Sequence, residues 1–434
     1  MFNPPFVHRF LRLAVVNILS NLMVPLAGLV DVAFLGHLAE IRHLAGVAIA
    51  TVIFNYIYWS FGFLRMGTTG LTAQAVGRGR QEEVGLVGLR GGAIALTLGL
   101  GILLLQVPLR ELGFWLLQAE PDVQRAGEAF YNARIWGAPA TLLNFVLIGW
   151  FLGREQAGKV LILSIVGNCA NVVLDYWAIA RLGWGSAGAG MATAASQYLM
   201  LLVGLLLLLR ERWSFKFRAI ASTFWDRSAL RRLFYLNSNI LVRTLALVTT
   251  FALFTNLSSV LGTRVLAANA LILQVITFSA YFIDGFAFAT ESMAGMFKGQ
   301  GDRRQLLALI WLSGGLSVGT GLAFAIAFML QSQPLFGLLT DHADVLQQIE
   351  ANTAWLLPVL GFGAVAYMLD GYFLGLTAGQ TLRNSSLIAA IAGFLPMALL
   401  AWRLESGAVL WLALTLFMAL RGITLGLRVP ATLR

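Results

Sequence analysis

Five carboxylates fall inside stretches otherwise apolar enough to lie in lipid: Asp31, Asp175, Asp284, Glu291 and Asp370. At the bilayer centre each costs about 2.5–3.5 kcal/mol on insertion scales, so each needs a partner, water or a proton. Asn171 and Asp175 are four residues apart, which puts both on one face of a helix. Thr193 lies on the next apolar stretch and Asp31 near the end of the first. Two carboxylates, an amide and a hydroxyl offer oxygen ligands to a hard cation such as sodium, or form a pair whose two ionisations repel and which therefore shares a proton. Local satisfaction by Asn17, Asn21 or Tyr131 is the alternative. Asp284 and Glu291, seven apart, share a face, and Asp370 stands beside a glycine. These three either line a cavity in the C-terminal half or pair with Arg243. Tyr131 and Trp177 are candidate cavity walls, while Arg65 and Arg134 can snorkel or pair with acids and receive no role.

Other chemistry has little material to work with. The single Cys169 excludes disulfide frameworks and cysteine-rich zinc sites, and the four histidines (His8, His37, His43, His342) have no HExxH spacing. An intramembrane prenyltransferase or protease would need a DDxxD, a GxSG or paired metal-binding histidines, and none is present. The chain is therefore expected not to be an enzyme and to need no cofactor beyond a coupling ion.

The elements that must position these residues follow from composition. Of 434 residues 59% are hydrophobic and 12% charged, where soluble domains carry roughly 25% charged. With a mean hydropathy of +0.79 the apolar residues outnumber what a soluble core can hide. A helix crossing about 30 Å of hydrocarbon needs about 20 mainly apolar residues, and twelve such stretches are predicted: 11–36, 44–70, 89–116, 127–152, 159–180, 186–209, 232–260, 265–296, 305–331, 348–375, 383–402 and 407–427. The first carries Asp31 and runs into further spans, so it reads as a retained helix, not a cleaved signal. An all-α polytopic membrane protein is the expected fold.

Sorting the loops by positive charge gives the topology. One side collects 21 Lys and Arg, including Arg9, Arg12, Arg154, Lys159, seven from Arg210 to Arg232, and Arg421, Arg428 and Arg434. The other side has six (Arg42, Arg110, Arg125, Arg181, Arg264, Arg403), and Arg65, Arg134 and Arg243 fall inside spans. Both termini are predicted to be cytoplasmic. The split also accounts for the net charge of +10 without nucleic acid.

The chain repeats itself at an offset of 222 residues. Arg9, Asn17, Ile18 and Leu19 align with Arg231, Asn239, Ile240 and Leu241; Gly77 and Gly79 with Gly299 and Gly301; Gly149-Trp150-Phe151-Leu152-Gly153 with Gly371-Tyr372-Phe373-Leu374-Gly375. One constant offset across separate segments marks a duplication. The predicted organisation is an N-terminal six-helix lobe at 1–209, a cytoplasmic linker at 210–231 and a C-terminal six-helix lobe at 232–434, a frame suited to alternating access. The acids break the symmetry: Asp31, Asp175 and Asn171 align with Leu253, Met397 and Gly393. That favours a specialised ion or proton site in the N-terminal lobe.

The run Asn21-Leu22-Met23-Val24-Pro25-Leu26-Ala27-Gly28-Leu29-Val30-Asp31, followed by Gly36-His37-Leu38, resembles the first helix of multidrug and toxic compound extrusion (MATE) transporters of the DNA-damage-inducible, prokaryotic branch. So do Ala287 to Gly295 (AFATESMAG) and the 370–375 run beginning at Asp370. The resemblance covers essentially the whole chain. It implies two pseudo-symmetric six-helix lobes, an inner-membrane location and a monomer exporting small organic, often cationic or amphipathic, compounds against protons or sodium ions. It also implies that Asp31, Asn171, Asp175 and Thr193 form the cation or proton network. The branch commonly has a proline fifteen residues before the helix-one aspartate, and here that position is Val16. A lipid-linked oligosaccharide flippase of the same superfamily is the alternative; its pyrophosphate-binding cavity would need more than three span arginines against five acids.

Overall fold

The computed structural model describes residues 4–37, 40–211 and 224–433. Most of the linker expected at 210–231, Leu38 of the first-helix motif and Arg434 lie outside the described residues. Among those described, twelve helices are long and apolar enough to span a bilayer: α1 Pro4–Gly36, α2 Arg42–Gly77, α3 Gln81–Leu104, α4 Pro121–Gly153, α5 Ala157–Arg181, α6 Gly185–Leu209, α7 Arg227–Val260, α8 Thr263–Gln300, α9 Arg303–Leu330, α10 Ala343–Gly375, α11 Gly379–Leu404 and α12 Gly407–Thr432. Their outward faces are apolar, as with Leu29 at 67% and Leu330 at 74% exposure, which suits lipid as the surrounding solvent.

Proline explains where the spans depart from straight helices. The stretch expected as one span at 89–116 is two helices, α3 and the short helix Gln106–Leu117, because Pro108 has no N–H for the Leu104 carbonyl that ends α3. By the same argument Pro139 meets the 3₁₀ turn Ile135–Gly137 in α4, and Pro358 the turn Thr353–Trp355 in α10. Pro396 likewise meets the π-helical stretch Ala389–Phe394 in α11. Pro25, by contrast, lies inside an unbroken α1.

The duplication is written into the backbone. Helices begin at Gln81 and Arg303, at Pro121 and Ala343, at Ala157 and Gly379, and at Gly185 and Gly407, each pair 222 residues apart. Gly79 and Gly301 both adopt positive φ after the second helix of their half, and Glu155 and Thr377 both do so after the fourth. A Cβ on Gly149 would strike the Arg65 carbonyl oxygen, and one on Gly371 would strike that of Ala287, again the equivalent residue. Only glycine lets these helix backbones approach so closely.

Contacts group the chain into two compact units, residues 19–233 and residues 1–18 with 234–434. The unit boundary falls within α1, between Ile18 and Leu19, so that Asp31 belongs to the first unit while Phe10 stacks on Phe286 in the second at 6.4 Å. In the first unit Trp150 Nε1 donates to the Val84 carbonyl at 2.9 Å. In the second, Trp411 packs edge-on against Phe254 and donates to Asn269 Oδ1 at 3.0 Å. A buried indole or amide needs such a partner.

Candidate functional site

Within the first unit three of the four residues expected as a network meet. Asn171 Nδ2 donates to Asp175 Oδ2 at 2.7 Å, one helical turn apart on α5. Asp175 is fully buried, and its carboxyl group is close enough to that of Asp31 from α1 to feel its charge. Each aspartate keeps a buried Oδ1 with no hydrogen-bond partner. Directly after Asp175 the helix widens into the π-helical turn Tyr176–Arg181, a local irregularity of the kind that often accompanies functional positions. Thr193 stands apart from this trio in its bonding: its hydroxyl donates to the Ala189 carbonyl of its own helix at 2.9 Å. Tyr131 is fully buried, stacks on Phe54 at 5.1 Å and donates to the Gln106 carbonyl at 3.0 Å, which pins the short helix after α3. Trp177, in the π-helical turn, is 60% exposed.

Arg134, given no role by the sequence, lies beside the trio. Its guanidinium carbon sits 4.5 Å from the centroid of Phe54, 5.4 Å from Phe130 and 5.9 Å from Tyr58. It is close enough to Asp31 for direct electrostatic attraction. Spacing along one helix reveals only Phe130, one turn before Arg134 on α4; Phe54 and Tyr58 come from α2 and the carboxylate from α1. The available signal was that an arginine deep in a span needs a counter-charge.

The acids of the second unit are arranged differently. Asp370, 3% exposed, is ion-paired through one oxygen to both Arg243 of α7 and Arg421 of α12. Arg421 also lies 5.5 Å from the ring centroids of Tyr367 and Phe417. Asp284 is half-buried and feels the charge of Arg243, and Glu291 is fully buried where α8 passes Gly375. One assignment is corrected here. Arg421, counted in the sequence with the loop charges, is 0% exposed inside α12. Its nearness to the chain end made it look like a loop residue, although the apolar run continues to Gly426.

Among the described residues no group of three or more His, Cys, Asp or Glu side chains is placed to hold a metal ion. The MatE family model matches residues 17–177 and again residues 240–402, once in each half. The chain belongs to the MATE family. DNA damage-inducible protein F of Escherichia coli K12 is 38% identical over 421 residues, covering 95% of this chain and 90% of that protein. The probable multidrug resistance protein NorM of Synechococcus is 26% identical over 96% of this chain and 92% of its own length. Among solved structures, a MOP superfamily transporter from Pyrococcus furiosus superposes with a TM-score of 0.89 at 18% identity, covering 99% of this chain and 97% of that one. The Vibrio cholerae MATE transporter VcmN gives 0.88 at 19% identity with the same coverage. MATE proteins are multi-pass membrane transporters, not enzymes, and carry small organic compounds driven by ion gradients. The first matched segment contains Asp31, Asn171 and Asp175, and the second Arg243 and Asp370; Thr193 and Arg421 lie outside both.

Proposed function

We propose that this MATE protein exports organic, often cationic or amphipathic, compounds from the cytoplasm across the cell's inner membrane by alternating access of its two lobes, in exchange for protons. The observation that carries the reading is the fully buried Asp175 carboxyl group, held by the Asn171 amide with its second oxygen unpartnered and close enough to Asp31 to feel its charge. Two acceptor-only carboxylates buried near each other repel when both are ionised, which favours one of them holding a proton. Loading and unloading that proton changes the charge of the unit by one, which is what coupling to an organic cation requires. Both termini face the cytoplasm on this reading, and reporter fusions near Arg434 and Arg181 should report opposite sides.

Sodium is the competing ion. It needs several converging oxygens and would draw on Thr193 together with Asp31, Asn171 and Asp175. The test uses purified protein in liposomes driven first by a pH gradient without sodium, then by a sodium gradient at constant pH. Proton coupling predicts transport in the first condition, loss of coupled export in Asp31→Asn with folding intact, and only a shifted pH optimum in Thr193→Ala. Transport only in the second condition, lost in Thr193→Ala, rejects the proton.

A further inference from the structure

Arg134 is recognised by its surroundings in the way an organic cation is. Its guanidinium lies over the face of Phe54, flanked by Phe130 and Tyr58. No carboxylate is ion-paired with it among the described residues, and its buried Nε has no hydrogen-bond partner. Arg243 and Arg421 of the second unit, by contrast, share Asp370. What holds Arg134 is the ring face and the field of Asp31. Aromatic faces attract cations most strongly when both partners are desolvated, and the weakly hydrated guanidinium is well suited to such stacking.

We propose that Phe54 and Asp31 form the subsite for a monovalent aromatic cation and that Arg134 is its tethered competitor, filling the subsite in the empty protein so that cargo enters by displacing the guanidinium. The proposal rests on the reading of Asp31 as the coupling carboxylate and adds the selection rule. A small, strongly hydrated cation such as an alkali ion or ammonium gains nothing from the ring and does not dislodge Arg134. A flat, weakly hydrated one gains the Phe54 face and the Asp31 charge together. Arg134 thereby sets a threshold that separates cargo from the ordinary cations of the cytoplasm.

The test is equilibrium binding of ethidium, a planar monovalent cation, to the purified full-length protein. Removing the competing charge in Arg134→Gln should tighten binding about ten-fold, a cation–π contact plus one like charge. Arg134→Lys keeps the charge but stacks less well and should tighten it about two- to three-fold. Millimolar guanidinium, far below denaturing concentrations, should reverse the gain in both variants by refilling the subsite. Unchanged or weaker ethidium binding in both variants overturns the proposal, and so does a gain that guanidinium does not reverse. Should Arg134→Gln fail to accumulate, Arg134→Lys decides alone by the same two criteria. The underlying reading is judged separately by Asp31→Asn: lost export with no ethidium gain in the Arg134 variants sinks the competitor and leaves the coupling carboxylate standing. Normal export by Asp31→Asn sinks the coupling role itself.

Discussion

Asp370 and Asp175 are both nearly inaccessible, at 3% and 0% exposure, yet Asp370 is clamped between Arg243 and Arg421 whereas Asp175 meets an amide and a second carboxyl. Each of these helices has a repeat partner that starts at the equivalent place, α10 with α4 and α5 with α11, and α4 and α10 pack through equivalent glycines. None of the charges is duplicated: the counterparts of Asp370, Arg243 and Arg421 are Ile148, Asn21 and Leu199, and those of Asp31 and Asp175 are Leu253 and Met397. A common scaffold was thus fitted with two different electrostatic devices. The C-terminal cluster binds α7, α10 and α12 together through opposite charges, whereas in the N-terminal one Arg134 lies near Asp31 and, among the described residues, no ion pair joins it to either acid.

The sharpest way to break this contrast is to delete the central acid of each unit. Asp370→Ala strands two buried guanidiniums, and losing one partner of a buried ion pair costs about 3–5 kcal/mol. We expect a large fall in Tm in detergent, or no accumulation at all. Asp31→Asn removes no ion pair and should melt within a few degrees of the wild type while losing coupled export. Equal melting of Asp370→Ala and the wild type would show that the cluster does not hold its three helices together.

A second pair of substitutions tests what the two halves share. Gly149→Ala and Gly371→Ala each push a methyl group into a carbonyl of the facing helix, at Arg65 and Ala287. Overpacking of this kind costs about 1–3 kcal/mol, and the two variants should lose similar amounts because the contacts are equivalent. Loss in one and tolerance in the other would mean that the packing has diverged along with the charges.

The sequence exposed these two layers unequally. Span number and the 222-residue offset were legible because hydropathy and glycine spacing are local patterns that survive without knowledge of neighbours. The pairing of Asn171 with Asp175 was legible for the same reason, being one turn of one helix. Arg134 and Arg421 were not, since their partners come from other helices: Phe54 from α2, Asp31 from α1 and Asp370 from α10. Positional sorting of charges misplaced Arg421 because it assumes that a charge near a helix end reaches water. The break of the third span was recoverable, as Pro108 marks the carbonyl that loses its donor.

The smallest effect is expected where the two units differ at the surface. Arg264 and Asp344 lie at positions equivalent to Arg42 and Asp122, so residue types are conserved across the repeat. In the second unit the two pair with each other at 3.0 Å, whereas in the first Arg42 pairs with Glu40 and Asp122 with Arg125. The Arg264 and Asp344 side chains are 74% and 62% exposed, so water screens the attraction and holding two mobile side chains offsets much of what remains. A double-mutant cycle with Arg264→Ala and Asp344→Ala should give a coupling of about 0.5 kcal/mol or less, falling further as salt is raised. The same residue types change partner between the halves because exposed pairs contribute so little that nothing fixes the choice. A coupling near 2 kcal/mol that persists in high salt would contradict this, and would place the functional difference between the halves at the membrane surface as well as in the buried clusters.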